Sequence, residues 1–247
     1  MNYGRPMSNK DQEQFEEFID TLIFKIIEDF EKRVKMIEVD LYHSETSEVI
    51  GGLLSRQATL VIEMASAPSI WNGHVAPLIL RTMTDLHITL AWILDSPVDK
   101  DEKAKKYILY GLGQAKLLIE HYKEHLKNPE NEDSRTLLDL QEAWLSSQRL
   151  EFLTAVNVGS WSNLDTRKMA QEVGCENLYK FAFTPFSSVV HNTWNHISLY
   201  NMVPCSNPLH KNHRHPSLLT CPLDIDYLYR AVKYFDKTLK LRELKYE

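Results

Sequence analysis

Between residues 9 and 39, Phe15, Phe18, Ile19, Leu22, Ile23, Ile26, Ile27 and Phe30 recur three and four positions apart. That spacing lays them along one stripe of an α-helix, whereas a strand would scatter them over both faces. The same period returns along the chain, and no stretch alternates apolar and polar residues over a strand's length. We therefore expect helices over 9–39, 44–65, 71–94, 100–127, 134–157, 163–173, 185–201 and 222–244, with a long loop over 203–221. Ser8 with Asp11 has the form of a capping pair, Pro77 suits a first turn, and the Gly51-Gly52 pair would permit a close helix crossing. Short polar connections join the helices. The fold class predicted is all-α: a single-domain antiparallel bundle of about seven helices over residues 1–247.

Eight glycines in 247 residues suit helices with short turns. The formal net charge of −6 supplies no overall basic field to draw the chain onto nucleic acid or anionic lipid. Three cysteines, with no apolar leader at the N-terminus, predict a reducing cytoplasm and no disulfide framework. No apolar run is long enough to predict a membrane span.

Charge is missing from two segments, residues 64–80 and 181–210. In a chain with 25% charged residues, both are expected to lie deep in the fold. The second contains "SSVVHNTWNHISLYN", read as one helix. On a helical wheel Ser187, Ser188, His191, Asn192, Asn195 and Ser198 fall within about 140°. A polar face without Lys or Glu predicts contact with protein, a partner subunit or a cleft. The apolar helix "LILRTMTDLHITLAWIL" carries Arg81 and Asp85 four apart on one face, with His74 on that face if the helix extends so far. Arg81 and Asp85 are expected to meet His191 and Asn195 across a helix interface. Such a set is either a buried polar network that fixes register or a cleft in which histidine, arginine and carboxylate supply base, anion stabiliser and orienter.

"RTMTD", "SSVVH" and the tyrosine-bearing "KYILYGLGQAK" resemble a bacterial helical family of unknown function, number 5677, over roughly residues 50–201. More loosely, the chain is similar to the HEPN group of helical ribonucleases and toxins of bacterial conflict systems. These use an Arg followed four to six residues later by a His. Arg81 and His87 match by count, but six positions on a helix turn them about 120° apart, so His191 from another helix is the better partner. The HEPN resemblance implies a metal-independent ribonuclease toxin or effector, possible in anti-phage defence. In it Arg81, Asp85, His191 and His196 would be catalytic, and Ser188, Asn192 and Asn195 would bind substrate. The alternative is a non-catalytic binding or regulatory module that senses a ligand or partner through a polar cleft. Neither reading requires a cofactor. RNA, a second copy of the chain or a co-encoded protein are the partners expected.

The loop "CSNPLHKNHRHPSLLTC" gathers Cys205, His210, His213, His215 and Cys221. These are zinc-ligand types, but without a Cys-x-x-Cys pair or a finger spacing no metal is assigned, and a solvated basic loop with Lys211 and Arg214 is the expectation. Trp144, Trp161 and Trp194 are expected in the core. The charge-laced helix face at 120–127 is expected to be solvated. Glycine-rich phosphate loops, Gly-x-Ser-x-Gly and His-Glu-x-x-His are absent, which argues against P-loop kinases, standard serine hydrolases and zincin proteases.

Overall fold

A computed structural model of the chain describes residues 8–37, 39, 44–128, 134–148, 161–218 and 220–241. The helices are α1 (Asn9–Lys35), α2 (Ser44–Ser66), α3 (Ala76–Ile93), α4 (Lys100–His125) and α5 (Arg135–Ser146). Next come α6 (Thr166–Glu172), the short α7 (Glu176–Leu178), one π-helical turn (Tyr179–Phe183), α8 (Thr184–Val190) and α9 (Trp194–Tyr200). The last is α10 (Asp226–Leu239). The fold is all-α apart from one small hairpin, and two helices stop short of their expected ends at 157 and 244, α5 at Ser146 and α10 at Leu239.

Local chemistry explains most boundaries. Ser8 Oγ accepts from Asp11 N–H and donates to its carboxylate, which caps α1. Pro77 stands in the first turn of α3, where its missing N–H costs nothing. His74 therefore precedes the helix and does not share a helical face with Arg81. Gly174, in the left-handed region at φ 69°, stops α6. Lys123 pairs with Glu120 and Glu142 on the solvated face of α4.

The core forms where α2, α3 and α10 meet, with α1 and α4 packed on α2, and α5 on α4. Leu80, Met83, Ile88, Ile93 and Phe235 are fully buried. Each such side chain stabilises the fold by about 1.5–3 kcal/mol. A polar network crosses this core. Gln57 of α2 donates to Thr238 Oγ1 of α10 at 3.0 Å and to the Met83 carbonyl at 3.2 Å. The Thr238 hydroxyl donates to the Tyr234 carbonyl, and so it accepts the proton on His87 Nδ1 at 3.0 Å. Gln57 Oε1 and His87 Nε2 have no partner among the described residues. The register-fixing buried network is therefore built on His87, on a different side of α3 from Arg81.

Four further sequence expectations are corrected. Residues 185–201 form two helices, because the chain breaks at His191–Thr193, where Asn192 takes φ 50°. Asparagine tolerates that left-handed conformation better than most residues. Of the charge-free segments, 64–80 is largely buried, but 181–210 is mostly surface: Phe181 is 73% and Trp194 65% exposed. Trp144 is likewise half-exposed, and only Trp161 packs against the core. The predicted loop also holds antiparallel strands β1 (Met202–Pro204) and β2 (Arg214–Pro216), paired Met202 to Pro216 and Pro204 to Arg214.

Candidate functional site

Arg81 and Asp85 stand one turn apart on α3, as their spacing requires. The Arg81 guanidinium carbon lies 3.2 Å from the centre of the Phe183 ring, which stacks on Tyr179. Arg81 Nε donates to Ser187 Oγ at 2.8 Å, and that hydroxyl donates on to the Phe183 carbonyl at 2.7 Å. Asp85 is a looser neighbour, with Oδ1 3.7 Å from Arg81 Nη1 and accepting from Thr166 Oγ1 at 3.3 Å. Protein crowds around Asp85 and pushes its carboxyl above the usual range, against the pull of Arg81 and the Thr166 hydroxyl. Yet its side chain keeps 46% of its surface open, so it sits in a recess rather than in the interior. The arginine is thus engaged on one face by an aromatic ring, at Nε by a hydroxyl and at Nη1 by a carboxylate.

Arg81 does meet the "SSVVH" segment, but at Ser187 rather than at His191 or Asn195. The break at Asn192 carries His191 and Asn192 to an exposed corner. Asn195 accepts from Thr193 Oγ1 instead. Ser188, Asn195 and His196 line a separate recess of about 200 Å³ with Pro77, Tyr200 and Tyr227. Beside it the His196 ring stands 5.5 Å from His74 and 4.8 Å from Tyr200. Only 8% of His196 is exposed. Burial, and then the neighbouring His74, hold its pKa below the usual imidazole value. Gly73 makes this packing possible: a Cβ there would stand 2.8 Å from the Tyr200 ring.

A larger cavity of about 440 Å³ opens between α2, α4 and α5, lined by Leu53, Arg56, Tyr107 and Trp144 among others. Gly52 of α2 and Gly111 of α4 also line it, and a Cβ built on either meets nothing within 4 Å. The Gly51-Gly52 pair therefore serves no close crossing, since the nearest atom to a Gly51 Cβ is Ile37 Cδ1 at 4.0 Å. Arg56 has no hydrogen bond or ion pair among the described residues and stands at the cavity's polar edge. The Tyr107 hydroxyl is held above its usual pKa by burial and then by the charge of Asp85. Two helix-interior glycines facing open space are the sequence signal for the cavity.

The sequence profile described as "Family of unknown function (DUF5677)" matches residues 47–207, more than half of the chain. The chain belongs to this family. No curated protein and no solved structure matches it. The DUF5677 span takes in the α2–α4–α5 cavity, the His196 recess except for Tyr227, and all seven residues singled out from the sequence. It ends inside the β1–β2 hairpin, where Cys205, His210 and His213 bring their donor atoms within 4.8 Å of one another. The remaining two candidates of that loop lie apart. His215 sits on β2 opposite Val203, and Cys221 Sγ accepts from Gly73 N–H at 3.2 Å. No helix among the described residues is long and apolar enough to cross a membrane.

Proposed function

We propose that this DUF5677 chain is a non-catalytic binding or regulatory module whose ligand occupies the cavity between α2, α4 and α5. The pair Gly52 and Gly111 carries the reading. A mid-helix glycine costs roughly 1 kcal/mol against alanine, and neither is needed for packing or for a left-handed backbone. Both keep the cavity open. Its volume of about 440 Å³ falls in the usual range for small-molecule sites, which are mostly apolar with a few placed polar groups. Leu53, Tyr107 and Trp144 suit a flat apolar body, and Arg56 suits an anionic end. An aromatic sulfonate dye, anilinonaphthalene sulfonate, and a series of aromatic carboxylates test this. Dye fluorescence and a rise in melting temperature are expected for the wild type, and their loss in Gly52→Leu and Gly111→Leu. Equal response in those variants would place the ligand elsewhere.

The ribonuclease reading, HEPN-like in character, is kept as a second proposal because of the His74–His196 pair. Two imidazoles beside a recess with Ser188 and Asn195 can divide the work. His196 would take the ribose 2′-hydroxyl proton, and His74 would stand as the acid for the leaving 5′-oxygen. Against it, Arg81 is engaged with Ser187, Phe183 and Asp85 and is not presented to a phosphate. Cleavage of total RNA in EDTA by wild type, lost in His196→Ala with the melt unchanged, would support this reading. Cleavage that instead depends on His191 would return the chemistry to the exposed corner.

The expected homo-oligomer fits the same framework. Two copies of a chain with net charge −6 repel each other. The exposed part of residues 181–210 carries no charge to add to that repulsion and presents Phe181, Trp194 and Leu199 to solvent.

A further inference from the structure

We propose that the tip of the β1–β2 hairpin is a zinc site made by Cys205, His210 and His213. The geometry carries it. A thiolate at about 2.3 Å and an imidazole at about 2.05 Å from one tetrahedral zinc ion lie roughly 3.6 Å apart. Cys205 Sγ and His210 Nδ1 are 3.6 Å apart. The His213 donor completes the set, with all three ligand atoms within 4.8 Å of one another.

The backbone holds these side chains together. Pro204 pairs with Arg214 at the end of the ladder, and Cys205 N–H donates to the His213 carbonyl at 2.9 Å, so Cys205 and His213 face each other across the neck. Two tight turns, His210 N–H to the Asn207 carbonyl at 3.0 Å and His213 N–H to the His210 carbonyl at 3.1 Å, fold His210 back towards them. Of the loop's two cations, Lys211 and Arg214, the second is drawn off: Arg214 Nη1 donates to the Ser198 carbonyl at 2.8 Å.

One thiolate and two imidazoles select zinc over the hard cations, which prefer oxygen. Three protein ligands leave the fourth position to water: Cys221 Sγ accepts from Gly73 N–H, and His215 is not among the clustered donors. Zinc there closes the nine-residue loop 205–213 into a rigid knuckle standing off the helical core. The site is independent of the α2–α4–α5 cavity and of its ligand.

Cobalt(II) reports the site directly. Titrated into the reduced, metal-stripped full chain, one equivalent is expected to give the intense visible bands of tetrahedral cobalt and a thiolate charge-transfer band in the near ultraviolet. One equivalent of zinc should bleach both. Cys205→Ser is expected to abolish the charge-transfer band, and His210→Ala and His213→Ala to weaken binding by more than the roughly 10–100-fold that losing an outer partner costs. Cys221→Ser and His215→Ala should bind like the wild type. The hairpin lies outside the core, so circular dichroism of every variant should keep the helical signal. The proposal is overturned by weak octahedral spectra from the wild type, or by bands that survive Cys205→Ser or vanish in Cys221→Ser.

Discussion

The Nε of Arg81 reaches across from α3 to donate 2.8 Å to Ser187 Oγ, while the same guanidinium covers the Phe183 ring. Asp85, one turn along α3, stands at 3.7 Å and keeps nearly half its side-chain surface in water. The hydroxyl and the ring therefore hold Arg81 more firmly than the carboxylate does. Arg81→Met removes a charged hydrogen bond and a cation–π interaction together, and should lower stability by about 1.5–3 kcal/mol. Asp85→Asn should cost no more than about 1 kcal/mol, as open ion pairs do. Urea unfolding of the two variants and Ser187→Ala decides it; an Asp85 variant that unfolds more easily than the Arg81 variant would sink this ordering.

The glycines separate into two kinds. Gly52 and Gly111 face empty space, so Gly52→Ala and Gly111→Ala should each stabilise the chain by about 0.5–1 kcal/mol through helix propensity. Gly73 supports the Tyr200 ring, and its Cβ would clash with that ring at 2.8 Å. Gly73→Ala should cost about 1–3 kcal/mol, as overpacking does, and less in a Tyr200→Ala background. Thermal melts of the single and double variants check the signs. A destabilising Gly52→Ala would show the cavity wall to be packed.

The helices are legible in the sequence because apolar residues repeat at three and four along α1 and because Ser8, Pro77 and Gly174 act through their own backbone chemistry. The break at Asn192 is not legible: no glycine or proline marks it, and asparagine's tolerance of a positive φ is a weak signal. That break is why His191 is not the partner of Arg81. Ser187 and His191 are four apart on one face, so pairing Arg81 with this segment finds the right face and the wrong turn. Missing charge over 181–210 does not mean burial. It shows only that a face is not built for water alone, which an interface also satisfies. The role of His87 is hidden because its apolar neighbours in sequence say nothing of Gln57 and Thr238, which are far away along the chain.

Self-association through the uncharged surface predicts a specific failure. Trp194→Glu or Phe181→Glu places a charge in an exposed apolar patch without touching the core. The wild type should run as an oligomer in light scattering after size exclusion, and either variant as a monomer with an unchanged melt at low concentration. A wild type that is monomeric throughout would leave residues 181–210 without this role.

His87 supplies a pH dependence. Burial, and then the charge of Lys237, lower its pKa to about 3, against 6.5 for the free side chain. The unfolded chain therefore holds a proton between those values that the folded chain does not. Its contribution to stability is complete above pH 6.5 and is lost as the pH falls towards about 3. The slope from this residue alone approaches about 1.4 kcal/mol per pH unit. His87→Asn cannot titrate there and can still offer an N–H towards Thr238. It should be less stable than the wild type near neutrality, yet lose less on acidification. Urea midpoints followed from neutral to acidic pH measure the two slopes, and parallel curves would mean that His87 is protonated in the folded state, with the Gln57–Thr238–His87 network rearranged to accept the charge.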